Sequence, residues 1–370
     1  MGGGTAGGAG RRNMPSTDMS AGDAGRPPDF AHILERVTVP IDLKAIEVAR
    51  EVIAGRVHRT PILPSKAAAA VVERSTGLKL GDGTLYLKAE HLQKTGSFKS
   101  RGMTNKVATL TADERRRGII TVSAGNAAQG YAYAGAALGV PVTVVMPAAA
   151  NPTKAAAAAG YGARVVLEGD HVGETFAAKD RIAAEEGLTF CHPFDDPAVM
   201  AGHGSAGLEI VEDLPEVDVV VVGIGGGGLI SGIAAAVKAK RPRARIYGIE
   251  PVGSDAISQA LAAGESVRIT PQSVADGLNA PFAGDLTLAV IRELVDEVTR
   301  IDDATILGGM RFAIERMKQV LEPAGAAALA ATLFGRVPIR AGERVCVVGS
   351  GGNVDVARLG DLIAQAAPLP

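Results

Sequence analysis

Short valine-rich runs alternate with longer alanine-rich stretches along most of this chain, and that alternation restricts its possible folds more than any other feature. Residues 118–122, 142–146, 163–167, 188–190, 217–222, 245–249 and 345–348 read as strands, mostly apolar rather than alternating. A strand apolar on both faces is covered on both faces, which favours parallel sheets in an open α/β architecture. Between them, residues 127–138, 152–161, 173–186 and 229–240 have helical length and composition. A further helix is expected over 303–320. Ala313, Met317 and Val320 recur there at helical spacing, with Arg311, Glu315 and Lys318 toward the other side.

Composition closes off several classes. With 370 residues, 47% hydrophobic and 21% charged, the chain can bury one large or two moderate cores. A formal charge of −2 offers no basic surface for nucleic acid. No stretch approaches the roughly 20 apolar residues of a membrane span. The most apolar one, 217–230, is broken by Asp218 and by glycines. Cys191 and Cys346 suit neither a disulfide scaffold nor a metal cluster, so a cytoplasmic protein is expected. Residues 1–29 lack the apolar centre of a signal peptide and are expected to form a disordered tail, with folded structure beginning near Phe30.

Three punctuated loops follow strand ends, where open α/β sheets collect ligands. They are Ser123-Ala124-Gly125-Asn126, Gly225-Gly226-Gly227-Gly228 and Gly349-Ser350-Gly351-Gly352-Asn353. A fourth segment, Lys94 to Gly102, places Phe98 and Lys99 where a strand at 85–90 hands over to a helical stretch. Consecutive glycines before a helix let backbone N–H groups cradle a phosphate, or else form a tight turn. Their spacing is not that of the dinucleotide fingerprint, and no lysine follows to complete a nucleotide P-loop. Taken singly, Lys99 is a positioned amine or a solvated turn residue. Asn126 is a ligand or the cap of the following helix, and Ser350 a donor or a turn residue.

Read in order, Gly96-Ser97-Phe98-Lys99, Ser123-Ala124-Gly125-Asn126, the tetraglycine, Glu322-Pro323-Ala324-Gly325 and Ser350-Gly351-Gly352-Asn353 resemble the fold-type-II pyridoxal-phosphate enzymes. The matching branch is that of threonine/serine dehydratases and serine racemases, from about His58 to Asn353. The resemblance implies two open three-layer α/β/α domains with predominantly parallel sheets. Residues 30–116 and 193–370 would form a large cofactor-binding domain, and 117–192 a small substrate-side domain. It also implies pyridoxal 5'-phosphate attached covalently to Lys99, with Phe98 beside the ring and Asn126 against the ring hydroxyl. Gly225, Gly226, Gly227 and Gly228 would surround the phosphate, and Ser350 would face the pyridine nitrogen. Ser123, Ala124, Gly125 and Ala127 would line the substrate, its carboxylate held by Ser123 and amides around Gly125. Glu322 would lie near the cofactor or simply begin a helix.

The implied activity is β-elimination from a β-hydroxy amino acid such as L-threonine or L-serine, giving a 2-keto acid and ammonia. Lys99 would be both covalent anchor and base, in a cytoplasmic homodimer. The alternatives are an amino-acid racemase, another enzyme of the fold type such as a threonine synthase, and a noncatalytic metabolite-binding protein. Ala124 replaces the serine that would give a racemase its second acid-base group, which favours elimination. Ala127 stands where dehydratases carry a histidine and leaves the preferred amino acid open, and His203 stands where glutamine is frequent. Glu250-Pro251 matches part of a divalent-metal site, but Ala256 fills the matching downstream position with Asp255 beside it, so no metal is expected. No regulatory domain is expected after Asn353.

Overall fold

In the computed structural model, which describes residues 1–3 and 40–370, the valine-rich runs pair into two sheets. The larger sheet runs through β1 (Ile62–Ser65), β2 (Leu85–Lys88), β10 (Val345–Val348), β7 (Val219–Gly223), β8 (Arg245–Pro251) and β9 (Glu297–Ile301). The smaller runs through β5 (Arg164–Leu167), β4 (Val142–Met146), β3 (Ile119–Val122) and β6 (Thr189–Phe190). Among the described residues β1 pairs antiparallel with β2, and the other strand pairs are parallel. The expected tail and the expected start near Phe30 fall almost wholly outside the described residues.

Burial on both faces explains the unbroken valine runs. In β7, Val219 and Val221 join the core beneath the Pro323–Leu333 helix, while Val220 and Val222 face Ile230 and Ile233 of the Gly228–Lys240 helix. The smaller sheet repeats the arrangement. Ile119 and Val144 pack with Tyr131 of the Asn126–Leu138 helix, and Ile120 and Val145 with Ile182 of the Val172–Glu186 helix. Cys191 and Cys346 are free and buried, and burial pushes both thiols up to about 12. No helix among the described residues is long and apolar enough to cross a membrane.

Some elements depart from the sequence reading. The expected 303–320 helix is α-helical only over Asp303–Phe312, then widens into a π-turn at Ala313–Met317 and stops at Lys318, whose φ is +60°. Ala313 is buried as expected, but Val320 is 50% exposed. The chain there is turning toward Pro323, which opens the next helix without needing an amide partner. β5 is an edge strand whose Leu167 is 51% exposed, so its apolar run does not mark a strand covered on both faces. β9 escaped notice because only Val298 and Ile301 of its Glu-Val-Thr-Arg-Ile are apolar, a composition its edge position in the sheet accommodates.

Candidate active site

The four segments singled out in the sequence meet around one cavity of about 440 Å³. Phe98, Lys99, Ser123, Ala124, Gly125, Asn126, Ala127, the four glycines Gly225 to Gly228 and Ser350 all line it. Parallel strands bring them together: β3, β7 and β10 each end just before one of the loops. The lysine segment is stitched to the Ser350 loop. Phe98 N donates to Ser350 O at 3.1 Å, Gly352 N donates to Gly96 O at 2.9 Å, and Ser97 bridges Gly351. Gly96 has φ +70°, which an L side chain rarely adopts, and a Cβ there would fall 2.3 Å from Asn353 Oδ1.

Lys99 begins the Lys99–Ala108 helix. Its Nζ donates to Pro193 O at 3.0 Å and lies 5.0 Å from the centre of the Phe98 ring. Burial draws the amine down to about 8, because the ammonium form loses its hydration. The edge of Phe98 packs against His203, centroids 4.7 Å apart. His203 lies within the Pro197–Asp213 helix, and its Nδ1 accepts from Gly102 N at 3.2 Å.

Gly125, not Asn126, occupies the cap position of the Asn126–Leu138 helix. The Asn126 side chain instead donates to Glu322 Oε1 at 2.6 Å and accepts from Asn353 Nδ2 at 2.8 Å. Ser123 Oγ accepts from Gly125 N at 3.2 Å. Ala127, 4% exposed, borders the cavity while packing in the same core as Met103 and Tyr131. Ser350 Oγ has only a 3.5 Å contact with Ala324 O, which leaves its hydroxyl available to the cavity.

Glu322 is 3% exposed and heads the Pro323–Leu333 helix without capping it. Burial, and then the charge of Asp276, push its carboxyl up to about 8 against the Asn126 hydrogen bond and Lys154. A folded-state value above the unfolded one makes the folded protein the better proton binder between about 4.5 and 8. This contribution to stability is complete below about 4.5 and is lost as pH rises through about 8. Thermal unfolding of the cofactor-free Glu322→Gln protein should therefore show a Tm advantage over wild type that grows to several degrees between pH 5 and pH 8. A gap that stays constant with pH would refute the raised value.

The tetraglycine loop is shaped by one residue that sequence reasoning missed. A Cβ at Gly226 would sit 2.4 Å from the Phe194 ring, and one at Gly228 2.9 Å from Phe194 O. Gly227 has φ +91° and faces Thr287. Among the described residues no backbone carbonyl or side chain accepts from the amides of Gly225, Gly226 or Gly227, at the N-terminus of a helix thirteen residues long. This is a cradle for an anionic group. No local signal announced Phe194 or Pro193, since both reach the cavity through the turn after β6.

Lys154 and Asp276, also on the cavity wall, form an ion pair with each other. Glu250 and Asp255 have other partners. Glu250 accepts from Ile257 N, Ser258 N and Ser258 Oγ at 2.7–2.9 Å. Asp255 accepts from Arg300 at 2.9 Å and Gln259 at 2.7 Å. Among the described residues no group of three or more His, Cys, Asp or Glu side chains is arranged to hold a metal.

The cavity thus combines a half-buried amine, an anion cradle and a second helix N-terminus at Ser123 to Asn126. Comparison with known proteins gives it a context. Residues 53–351 match the family described as pyridoxal-phosphate dependent enzyme. The L-threonine ammonia-lyase of Thermotoga maritima is 41% identical over 324 residues, covering 87% of this chain and 78% of that protein. The catabolic L-threonine dehydratase TdcB of Escherichia coli is 40% identical over 327 residues, covering 88% and 96%. Among solved structures, maize serine racemase superposes with a TM-score of 0.81 at 35% identity, covering 88% of this chain and 98% of that one. Threonine deaminase isoform 2 from Solanum lycopersicum gives 0.78 at 30% identity, covering 88% and 92%.

Proposed function

The chain belongs to the pyridoxal-phosphate dependent enzyme family, and from that membership we propose that it is an ammonia-lyase converting a β-hydroxy amino acid to a 2-keto acid and ammonia. L-Threonine or L-serine is the substrate we assign, supported by the relatives' activities. The observation that carries the reading is the Lys99 amine, drawn down to about 8 and opening on a cavity that two helix N-termini also face.

The residues fit the cofactor. The free amides of Gly225, Gly226 and Gly227 suit its phosphate and the Lys99 amine its aldehyde. The Ser350 hydroxyl suits an unprotonated ring nitrogen. Asn126 Nδ2 has two N–H groups and gives one to Glu322, so the other is left for a ring oxygen. Pyridoxal phosphate supplies, when bound, the electron sink that acidifies the substrate Cα–H.

The protein's own groups do the rest. Ser123 and the amides leading into the Asn126–Leu138 helix hold the substrate carboxylate. Lys99 Nζ takes the Cα proton, a transfer suited to a base whose value lies near working pH. Ala124 offers no second acid-base group for returning a proton on the opposite face, which favours elimination over racemisation. We further propose residues 117–192 as the substrate-side domain and 30–116 with 193–370 as the cofactor domain. This division is supported by the smaller sheet lying wholly between Ile119 and Phe190. A cytoplasmic homodimer is the assembly we propose for it.

Purified protein supplied with pyridoxal phosphate and L-threonine or L-serine should release ammonia and 2-oxobutanoate or pyruvate in equal amounts. Interconversion of enantiomers without keto acid would overturn the lyase reading in favour of a racemase. The cavity also limits the substrate's side chain. Lys99 and Lys154 are the cations lining it among the described residues, and Lys154 is already paired with Asp276. A second carboxylate would enter without a partner. 3-Hydroxyaspartate should therefore be turned over with kcat/KM on the order of 100-fold below that of L-threonine.

A further inference from the structure

Behind Lys99 lies a buried cluster of charge that takes no part in lining the cavity. Two residues along the same helix, Arg101 is only 1% exposed, and its guanidinium is gripped by two carboxylates. Nε and Nη2 donate to the two oxygens of Glu90 at 2.8 and 2.9 Å, while Nη1 and Nη2 donate to the two oxygens of Glu209 at 2.7 Å each. Ser205 Oγ at 3.0 Å and Thr60 Oγ1 at 3.3 Å complete the shell. Lys88 Nζ joins it through Glu209 at 2.5 Å and Thr60 O at 2.7 Å. Two cations and two anions balance, and each is buried.

Such a cluster is weak evidence for stability, because desolvation offsets much of the attraction and apolar replacements often do as well. What a doubly bidentate guanidinium supplies is geometry. Its planar fork cannot rotate or slide without breaking several charge-assisted bonds at once. The anchors come from three directions: β2 with the turn after it, the segment before β1, and the Pro197–Asp213 helix. At the next residue the two helices touch backbone to backbone. A Cβ on Gly102 would lie 2.6 Å from Val199 O, and one on Gly202 2.7 Å from Arg101 O. At 3.6 residues per turn, Lys99 and Arg101 point about 200° apart around the helix. One side of the helix grips the scaffold while the other presents the amine.

We propose that Arg101 is a positioning residue for Lys99: the Glu90–Arg101–Glu209 clamp fixes the rotation and depth of the Lys99–Ala108 helix, and so sets where the amine meets its electrophile. The proposal rests on the reading of Lys99 as the group that captures the cofactor. Arg101→Lys keeps the charge balance and loses the fork.

The test is the second-order rate at which cofactor-free protein develops the visible imine band on addition of pyridoxal phosphate. It is measured well below the unfolding temperature, with circular dichroism confirming a fully folded population. The rate should fall at least tenfold in Arg101→Lys, since small misplacements of a reacting group are costly. In the loaded enzyme kcat should fall more than KM changes. A variant with lowered Tm but the wild-type capture rate would reduce Arg101 to a structural role and overturn the proposal. Should Arg101→Lys fail to fold, Ser205→Ala removes one anchor, and a capture rate equal to wild type in that variant would likewise overturn it. If wild-type protein itself forms no band, the reading of Lys99 fails instead, and the two failures are told apart.

Discussion

Lys99→Ala protein should show no visible imine band with pyridoxal phosphate and should lose keto-acid formation by a factor on the order of 10⁴ or more, because the proposed reading makes one side chain both covalent anchor and general base. The lowered amine value gives this expectation a second, independent readout. An amine at about 8 is roughly one-tenth unprotonated at pH 7, whereas an ordinary lysine at 10.5 is free in only a few molecules per ten thousand. The ammonium form has no lone pair to attack with. The rate of cofactor capture by wild-type protein should therefore rise about fivefold from pH 7 to pH 8 and level off above pH 9. Lys99→Arg separates amine chemistry from mere charge, since a guanidinium stays protonated throughout and should capture nothing at any of these values. A capture rate still climbing tenfold per unit above pH 9 would mean that the Lys99 amine is not desolvated as the cavity geometry requires.

The parts legible in the sequence were those whose signal is local. Val219 to Val222 announced a strand covered on both faces, and the structure covers them on both faces. The glycine and serine loops could be placed because β3, β7 and β10 each run parallel to neighbours in their own sheet, and ligands collect beyond the carboxyl ends of such strands. Where partners lie far apart in the chain, local reading stopped. Asn126 read as a ligand or as the cap of the following helix, and the structure gives the cap position to Gly125 while the Asn126 side chain bonds Glu322, 196 positions away. Arg101 read as one residue of a motif. Its partners are Glu90, in the turn after β2, and Ser205 and Glu209 on the Pro197–Asp213 helix, and no spacing rule joins them to it. The end of the expected 303–320 helix was misplaced for a related reason. Its periodicity continues past Phe312, but the following chain must reach Pro323, and a π-turn with a left-handed Lys318 makes that bend.

The tetraglycine loop carries the other large expected effect, and its four positions are not equivalent. Gly226 has no left-handed φ, so alanine there meets only steric trouble, a Cβ 2.4 Å from the Phe194 ring. Either the ring or the loop must move. Moving the loop turns the amides of Gly225 to Gly227 away from the cavity, and overpacking of this kind costs about 1–3 kcal/mol. Gly226→Ala should accordingly weaken pyridoxal-phosphate binding by one to two orders of magnitude, read by titration of the visible band. Truncating the obstacle removes the conflict, so Gly226→Ala/Phe194→Ala should bind the cofactor more tightly than Gly226→Ala alone, a coupling that a double-mutant cycle measures directly. Gly227 behaves differently. At φ +91° any side chain is strained by its own backbone, and no change at Phe194 can relieve that. Gly227→Ala should lose cofactor affinity with or without Phe194→Ala. Equal rescue of both glycine variants would show that the loop is merely flexible. Rescue of Gly226→Ala alone would show that a packed aromatic ring and a backbone angle hold the anion cradle open by separate means.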